Sequence, residues 1–434
     1  MDILQMLMTC VMLIGYYFPV ICTWYFMLCT GIRSGAGNQK QPVHKIKIHN
    51  GRVITRDTVV ENGTVLVEAG LIKAVGAGDI AFDGAYEIDA QGKYISPGFI
   101  DIHIHGGGGS DFMDETEEAF IGIAETHARY GTTSMVPTTL SATKEAITKA
   151  IELFKTVKDK DHDGSQLLGM HIEGPYFAMN QRGAQDPRYI RDPDPTEYQE
   201  IIDHSEGLVR WSVAPELKGA LEMGKALRKK GIIAAIAHTD AIYEDVVRAV
   251  DCGYSLSTHL YSAMSGVTRK NAFRYAGVIE ASLLMDEIDV ELIGDGVHLP
   301  APLLKLVCKV KGRDKIALIT DAMRGAAMPE GESMLGHWQT GLKVIIEDGV
   351  AKLPDRTSFA GSVATADRLV RNMHRLGEVS MVDAVYMAAT TPARIMGVEN
   401  RKGSLEAGKD ADIVIFDDNV NVSATMIKGK IVYI

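Results

Sequence analysis

The stretch Pro97-Gly98-Phe99-Ile100-Asp101-Ile102-His103-Ile104-His105-Gly106 decides how this chain is read. An apolar run ends there in His-x-His. Side chains alternate faces along a strand, so residues two apart project the same way. His103 and His105 therefore leave the end of a buried strand together. Neutral imidazoles paired like this bind divalent transition metals. An isolated His-x-His is equally compatible with two hydrogen-bonded core histidines. The recurrence of ligand-type residues at later strand ends separates these readings.

Outward from this stretch, strand-like apolar runs recur at 96–105, 133–138, 167–173, 208–215, 232–238, 254–260, 290–295 and 316–321. Helical patterns lie between them at 115–130, 143–158, 218–230, 241–252 and 300–311. Eight β/α alternations predict an α/β fold with a TIM-like (β/α)8 barrel over residues 96–397, rather than an open doubly wound sheet. From Val43 to Ile95, short β runs carry the dipeptides Asn50-Gly51, Asn62-Gly63 and Ala69-Gly70, which read as hairpin turns. Beyond the eighth run, Gly341 to Leu353 reads as β structure, and 364–377 and 381–397 as helices. The tail returns to strands, including Ala411–Phe416 and Met426–Val432. Segments 43–95 and 398–434 are expected to form one small β-sandwich domain flanking the barrel.

The chain has 434 residues, a net charge of −11 and 46% hydrophobic residues, which suffices for a large enzyme core. The acidic balance, without a basic cluster, argues against nucleic-acid binding. Cys10, Cys22 and Cys29 lie in the N-terminal tail, leaving Cys252 and Cys308 in the body with no CxxC pair, so a reducing compartment is expected. Residues 1–40 differ from the rest: Ile3 to Ile32 carries no charge and is long enough to span a bilayer. A basic region before it, as in a signal peptide, is missing. Two readings stand, a membrane anchor or an extension from a start codon assigned too far upstream. Arg33, Lys40, Lys45 and Lys47 follow the run, so either reading leaves the body cytoplasmic.

Active sites of such barrels sit at the C-terminal ends of the strands. Those positions hold His103 and His105 after run 1, Glu173 after run 3, His238 after run 5, His259 after run 6, His298 after run 7 and Asp321 after run 8. Each alone is weak. Together, imidazoles and carboxylates on one rim can hold one or two divalent ions with a position open for water. Zn, Fe, Co and Mn all suit such ligands.

These residues resemble the amidohydrolase superfamily. Within it, HIEGP at His171–Pro175, THLYSAM at Thr258–Met264, DGVH at Asp295–His298 and LITDAM at Leu318–Met323 resemble the N-acetylglucosamine-6-phosphate deacetylases. The terminal Gly403–Phe416 segment resembles the strand-forming end shared across the superfamily, and the likeness runs from about residue 45 to 434. The resemblance implies a metal-dependent hydrolase that releases acetate from a phosphorylated amino sugar. It implies Glu173, His238 and His259 as ligands of one ion, and His103 and His105 as ligands of a second. Asp321 corresponds to the carboxylate that accepts and then donates a proton. His298 corresponds to a substrate contact, and Phe359, Ala360 and Gly361 to a loop closing over the sugar. A homodimer is also implied, with the segment from Arg269 to Arg274 reaching the neighbouring active site.

The chain departs from that pattern in three places. Gly183-Ala184-Gln185-Asp186-Pro187 stands where many relatives carry a histidine near the acetyl carbonyl; the Gln185 amide can donate there but carries no charge. Ser262, beside Ala263, replaces a usual asparagine. The phosphate-binding arginine falls in Thr268–Arg274 with its register open, so Arg269 and Arg274 both qualify, no other basic cluster being expected near the strand ends. Rival readings are a deacetylase of a related N-acetylated sugar, a dihydroorotase-type or deaminating reaction, and a catalytically dead scaffold. Run 4 ends Ala214-Pro215-Glu216 without a lysine to carboxylate, and the retained ligand set disfavours a scaffold.

Overall fold

The computed structural model describes residues 44–204 and 206–434. The apolar run of residues 1–40 lies outside the described residues. Among those described, no helix is long and apolar enough to cross a membrane.

The eight runs form the parallel strands of a TIM-barrel-type fold. Strand 1 is Phe99–Ile104 and strand 2 Thr132–Pro137. Strand 3 comes in two pieces, Gln166–Leu167 and Met170–Glu173. Strands 4 to 8 are Leu208–Val213, Ile233–Ile236, Tyr254–Ser257, Asp289–Ile293 and Ile316–Ile319. The first piece of strand 3 pairs with strand 2, and the second continues in order through strands 4 to 8. The expected continuous run 167–173 is thus broken, and Gly169 lies at the break. A Cβ there would sit 2.4 Å from the Val209 side chain, so the backbone passes strand 4 too closely for any other residue. Strand 8 meets strand 1 through hydrogen bonds from Asp321 N–H to the His103 carbonyl (3.0 Å) and from His105 N–H to the Ala322 carbonyl (2.9 Å). Ile100, Ile102, Val136, Ala235, Leu256, Ile293, Ala317 and Ile319 pack as one buried cluster. They come from six of the eight strands, as a shared barrel interior requires.

Helices Glu117–Ala128, Lys144–Val157, Ala220–Lys229, Tyr243–Asp251 and Ala301–Lys311 fall where the periodicity places them. Pro195–His204 and Val278–Leu284 are further helices that the pattern did not single out.

Strands from both chain ends share an eight-stranded sheet. Its order is Lys430–Tyr433, Val422–Ile427, Ile413–Phe416, Tyr94–Pro97, Lys45–Ile54, Val59–Glu68, Leu71–Ala77, with Tyr86–Asp89 also on Lys45–Ile54. Two details differ from expectation. Only Ala69-Gly70 is a hairpin turn; Asn50-Gly51 and Asn62-Gly63 lie inside strands, where Gly51 faces Gly63 at irregularities in register. Asn50 (φ 56°) and Asn62 (φ 45°) adopt the left-handed conformation that asparagine tolerates, so the signal is real but marks bulges. The run Met426–Val432 is a hairpin rather than one strand, turning at Lys428-Gly429 with φ 46° and 76°.

Candidate active site

Six of the seven ligand-type residues, all but His298, converge at the C-terminal rim of the barrel in two groups of three. His103, His105 and Asp321 form one group; Glu173, His238 and His259 form the other, with the donor atoms of each within 4.8 Å of one another. All six are buried. His238 (φ 44°), His259 (φ 32°) and Asp321 (φ 48°) leave their strands in left-handed backbone, a conformation costing about 1–3 kcal/mol each and concentrated at functional sites.

Glu173 lies between the groups. Its Oε1 is 3.1 Å from His259 Nε2 and 3.4 Å from both His238 Nε2 and His103 Nε2, and its Oε2 is 3.4 Å from His105 Nε2. Asp321 Oδ1 is 3.2 Å from His105 Nε2 and 3.5 Å from His103 Nε2. The two Nε2 atoms of His103 and His105 are 3.3 Å apart. Metal bonds of about 2.1 Å at tetrahedral angles place neighbouring donors about 3.4 Å apart, so this spacing suits a cation.

Protonation points the same way. The Nδ1 atoms of His105 and His238 donate to the carbonyls of Thr138 (3.2 Å) and Gln181 (2.8 Å), and His103 Nδ1 lies 3.3 Å from the Glu291 carboxylate. A neutral ring that spends its proton on Nδ1 presents a lone pair at Nε2. Lone pairs and carboxylates facing one another without protons repel unless a cation lies between them. The protein groups also compensate one another's charges. Burial opposes ionisation of Glu173 and Asp321, yet the surrounding imidazoles hold Glu173 well below the usual carboxylate range and Asp321 below it. Burial opposes charge on His105, but the Asp321 and Glu173 carboxylates raise its pKa well above the ordinary value.

All residues of the two groups except His103 line a cavity of about 560 Å³. Its walls include Ala184, Gln185, Ser262, Ala263, His298, Phe359 and Gly361 from the sequence reading. His298 Nδ1 pairs with Asp295 (2.8 Å), which leaves Nε2 for the cavity, and its ring packs 4.7 Å from that of Phe359. Ala360 is buried behind the loop and does not line the cavity. Gln185 is already engaged: its amide donates to Glu173 Oε2 (2.6 Å) and its oxygen accepts from Ser141 N–H (2.8 Å), leaving one amide hydrogen for another acceptor. Glu216, at the end of strand 4, accepts from Thr239 (2.6 Å) and Asp240 N–H (2.7 Å) and does not line the cavity.

Arg269 and Arg274 are absent from this wall. They sit opposite each other on an exposed hairpin, Thr268–Lys270 and Phe273–Tyr275, which explains why the sequence could not choose between them. The expectation that no other basic cluster lies near the strand ends is corrected. Lys352 and Arg356 line the cavity, brought there by the segment after strand 8, and both contact Glu347. The sequence reading also missed Arg210 and Glu291, fully buried beneath the ligands. Their signal was a charge flanked by apolar residues, Arg210 between Val209 and Trp211 and Glu291 between Val290 and Leu292.

A buried set of four histidines and two carboxylates at the C-terminal mouth of a TIM-type barrel defines a metal-dependent hydrolase. The sequence pattern of the Amidohydrolase family matches residues 94–432, and the chain belongs to that family. An N-acetylglucosamine-6-phosphate deacetylase of Vibrio furnissii is 33% identical over 394 residues, spanning 89% of this chain and 94% of that protein. An N-acetylgalactosamine-6-phosphate deacetylase of Escherichia coli O157:H7 is 32% identical over 381 residues, spanning 88% of this chain and 97% of that protein. The crystal structure of N-acetylglucosamine-6-phosphate deacetylase from Pasteurella multocida superposes with a TM-score of 0.83 at 27% identity, covering 89% of this chain and 99% of that one.

Proposed function

We propose that this chain hydrolyses the acetamide of N-acetyl-D-glucosamine 6-phosphate to acetate and D-glucosamine 6-phosphate, in amino-sugar metabolism. The observation that carries the reading is Glu173 set between two histidine groups and lining a cavity of about 560 Å³, in a chain resembling such deacetylases over nearly nine-tenths of its length. Glu173, His238 and His259 would hold one divalent ion, and His103, His105 and Asp321 a second. A divalent ion there lowers the pKa of water toward about 7 and polarises the amide carbonyl.

The remaining work falls to the protein. Asp321, held as a carboxylate, accepts a proton from water and returns it to the amide nitrogen, because expulsion of an unprotonated amine anion is prohibitive. The free Gln185 N–H is available to the developing oxyanion. His298 and the Ser262-Ala263 segment contact the sugar, with Phe359 covering it. Arg269 and Arg274 bind the 6-phosphate from the neighbouring copy in a homodimer. Their exposed hairpin, with Phe273 71% exposed and Val267 59% exposed at its base, supports this reading.

A second reading rests on the galactosamine relative: the C4 epimer fits the same metal chemistry. One assay separates these readings. Purified protein is given phosphorylated and unphosphorylated N-acetylglucosamine and N-acetylgalactosamine, and the same sample is analysed for metal. Preference for N-acetylglucosamine 6-phosphate is expected; equal rates on free sugar would remove the phosphate.

A further inference from the structure

Beneath the ligands, the barrel interior holds a charged pair that takes no part in the proposed proton transfers. Arg210 of strand 4 and Glu291 of strand 7 are both fully buried. Their pairing is bidentate, through Arg210 Nη1 to Glu291 Oε1 and Nη2 to Oε2 at 2.9 Å. Arg210 also donates to the Ile102 carbonyl on strand 1 (3.2 Å) and to Thr258 Oγ1 beside His259 (2.7 Å). Glu291 Oε2 is 3.3 Å from His103 Nδ1 and accepts from His259 N–H at 3.3 Å. One neutral unit thus touches strands 1, 4, 6 and 7 directly below the metal-ligand atoms.

Such a pair is a poor stabiliser. Desolvating two charges costs about as much as their attraction returns, and apolar residues of similar volume often serve as well or better. Its contacts explain its presence differently. A metal-bound histidine commonly donates its second ring nitrogen to a carboxylate, which sets tautomer and ring orientation. Among the four ligand histidines, only the ring of His103 has a carboxylate in that position; those of His105 and His238 use backbone carbonyls, and His259 Nδ1 has no partner among the described residues. Arg210 cancels the charge of Glu291 and fixes both of its oxygens, so the acceptor stays in place without adding net charge under the site.

We propose that Glu291, held by Arg210, is a positioning residue for His103, and that the pair sets cation affinity at the His103–His105–Asp321 group selectively over the Glu173–His238–His259 group. This rests on the two-ion reading of the site and not on the identity of the substrate.

The test uses full-length protein stripped by a chelator and titrated with Co²⁺, with metal content and the visible absorption of the bound ion as readouts. Two double variants are compared, Arg210→Met with Glu291→Leu, and Arg210→Met with Glu291→Gln. The leucine variant removes both charges together; the glutamine variant restores an acceptor for His103 Nδ1. The wild type is expected to bind two ions. The leucine variant should bind one with unchanged affinity and the second 10–100-fold more weakly. The glutamine variant should recover the second ion, and the metal-free melting temperature of the leucine variant should be unchanged or higher. Undiminished affinity for both ions in the leucine variant overturns the proposal. Loss of both ions together, or a lowered metal-free melting temperature, makes the pair structural and also overturns it. A wild type that binds one ion overturns it together with the two-ion reading. Absence of deacetylation with two bound ions counts against the proposed substrate alone.

Discussion

At the residue scale, the position of Glu173 makes a sharp demand. Its Oε1 faces both histidine groups and its Oε2 faces His105, so removing its charge should empty the centre rather than merely slow it. Glu173→Gln and His259→Ala are expected to lose bound metal and turnover together while the barrel remains folded; full metal occupancy in both, measured by elemental analysis, would refute the ligand assignment. Asp321 behaves differently. It contacts His103 and His105 as well as lining the cavity, so it belongs to one metal group besides the proton path. Asp321→Asn should keep the ion held by Glu173, His238 and His259 and lower kcat by 10²–10⁴-fold, the usual range for lost proton transfer. A variant retaining a tenth of wild-type kcat would exclude that role.

Two elements carry predictions of their own. The hairpin Thr268–Tyr275 places Arg269 and Arg274 as cross-strand neighbours, close enough to grip one phosphate together. Replacing both by alanine should raise KM for the phosphorylated sugar at least tenfold and leave KM for the free sugar nearly unchanged. A larger effect from Lys352→Met or Arg356→Met would move the phosphate to the cavity wall of the same chain. Helix Glu117–Ala128 carries His127, fully buried with Nε2 3.0 Å from the Gly106 carbonyl. Burial lowers its pKa from 6.5 to about 4. The unfolded chain therefore binds a proton there at a pH where the folded one does not. The stabilisation is complete above pH 6.5 and is lost as pH falls through 4, a span worth roughly 3 kcal/mol. Unfolding by denaturant at pH 7 and pH 4.5 should show His127→Gln losing less stability on acidification than the wild type. Equal losses would place the acid-sensitive group elsewhere.

For the molecule as a whole, the described fold begins with strand Lys45–Ile54, and every ligand-type residue lies between 103 and 321. Deleting residues 1–40 is therefore expected to leave a folded enzyme with unchanged kcat/KM; a truncated chain that fails to fold would make the tail part of the core. The sequence by itself determined the order of eight strands and which ligand-type residues close them. Both follow from local patterns, an apolar run closed by a residue of one chemical type. It also located Asn50 and Asn62, but not what they do, because bulge and turn share the same residue preferences and differ only in what the neighbouring strand presents; the break at Gly169 it read as continuous strand. Tertiary structure alone decided three matters. It set Glu173 between two groups, since distances across a barrel have no trace in spacing along the chain. It brought Lys352 and Arg356 to the cavity through a segment following the last strand. It also placed the buried Arg210–Glu291 pair under His103, where charges flanked by apolar residues on two strands meet only because the closing of the barrel turns both inward.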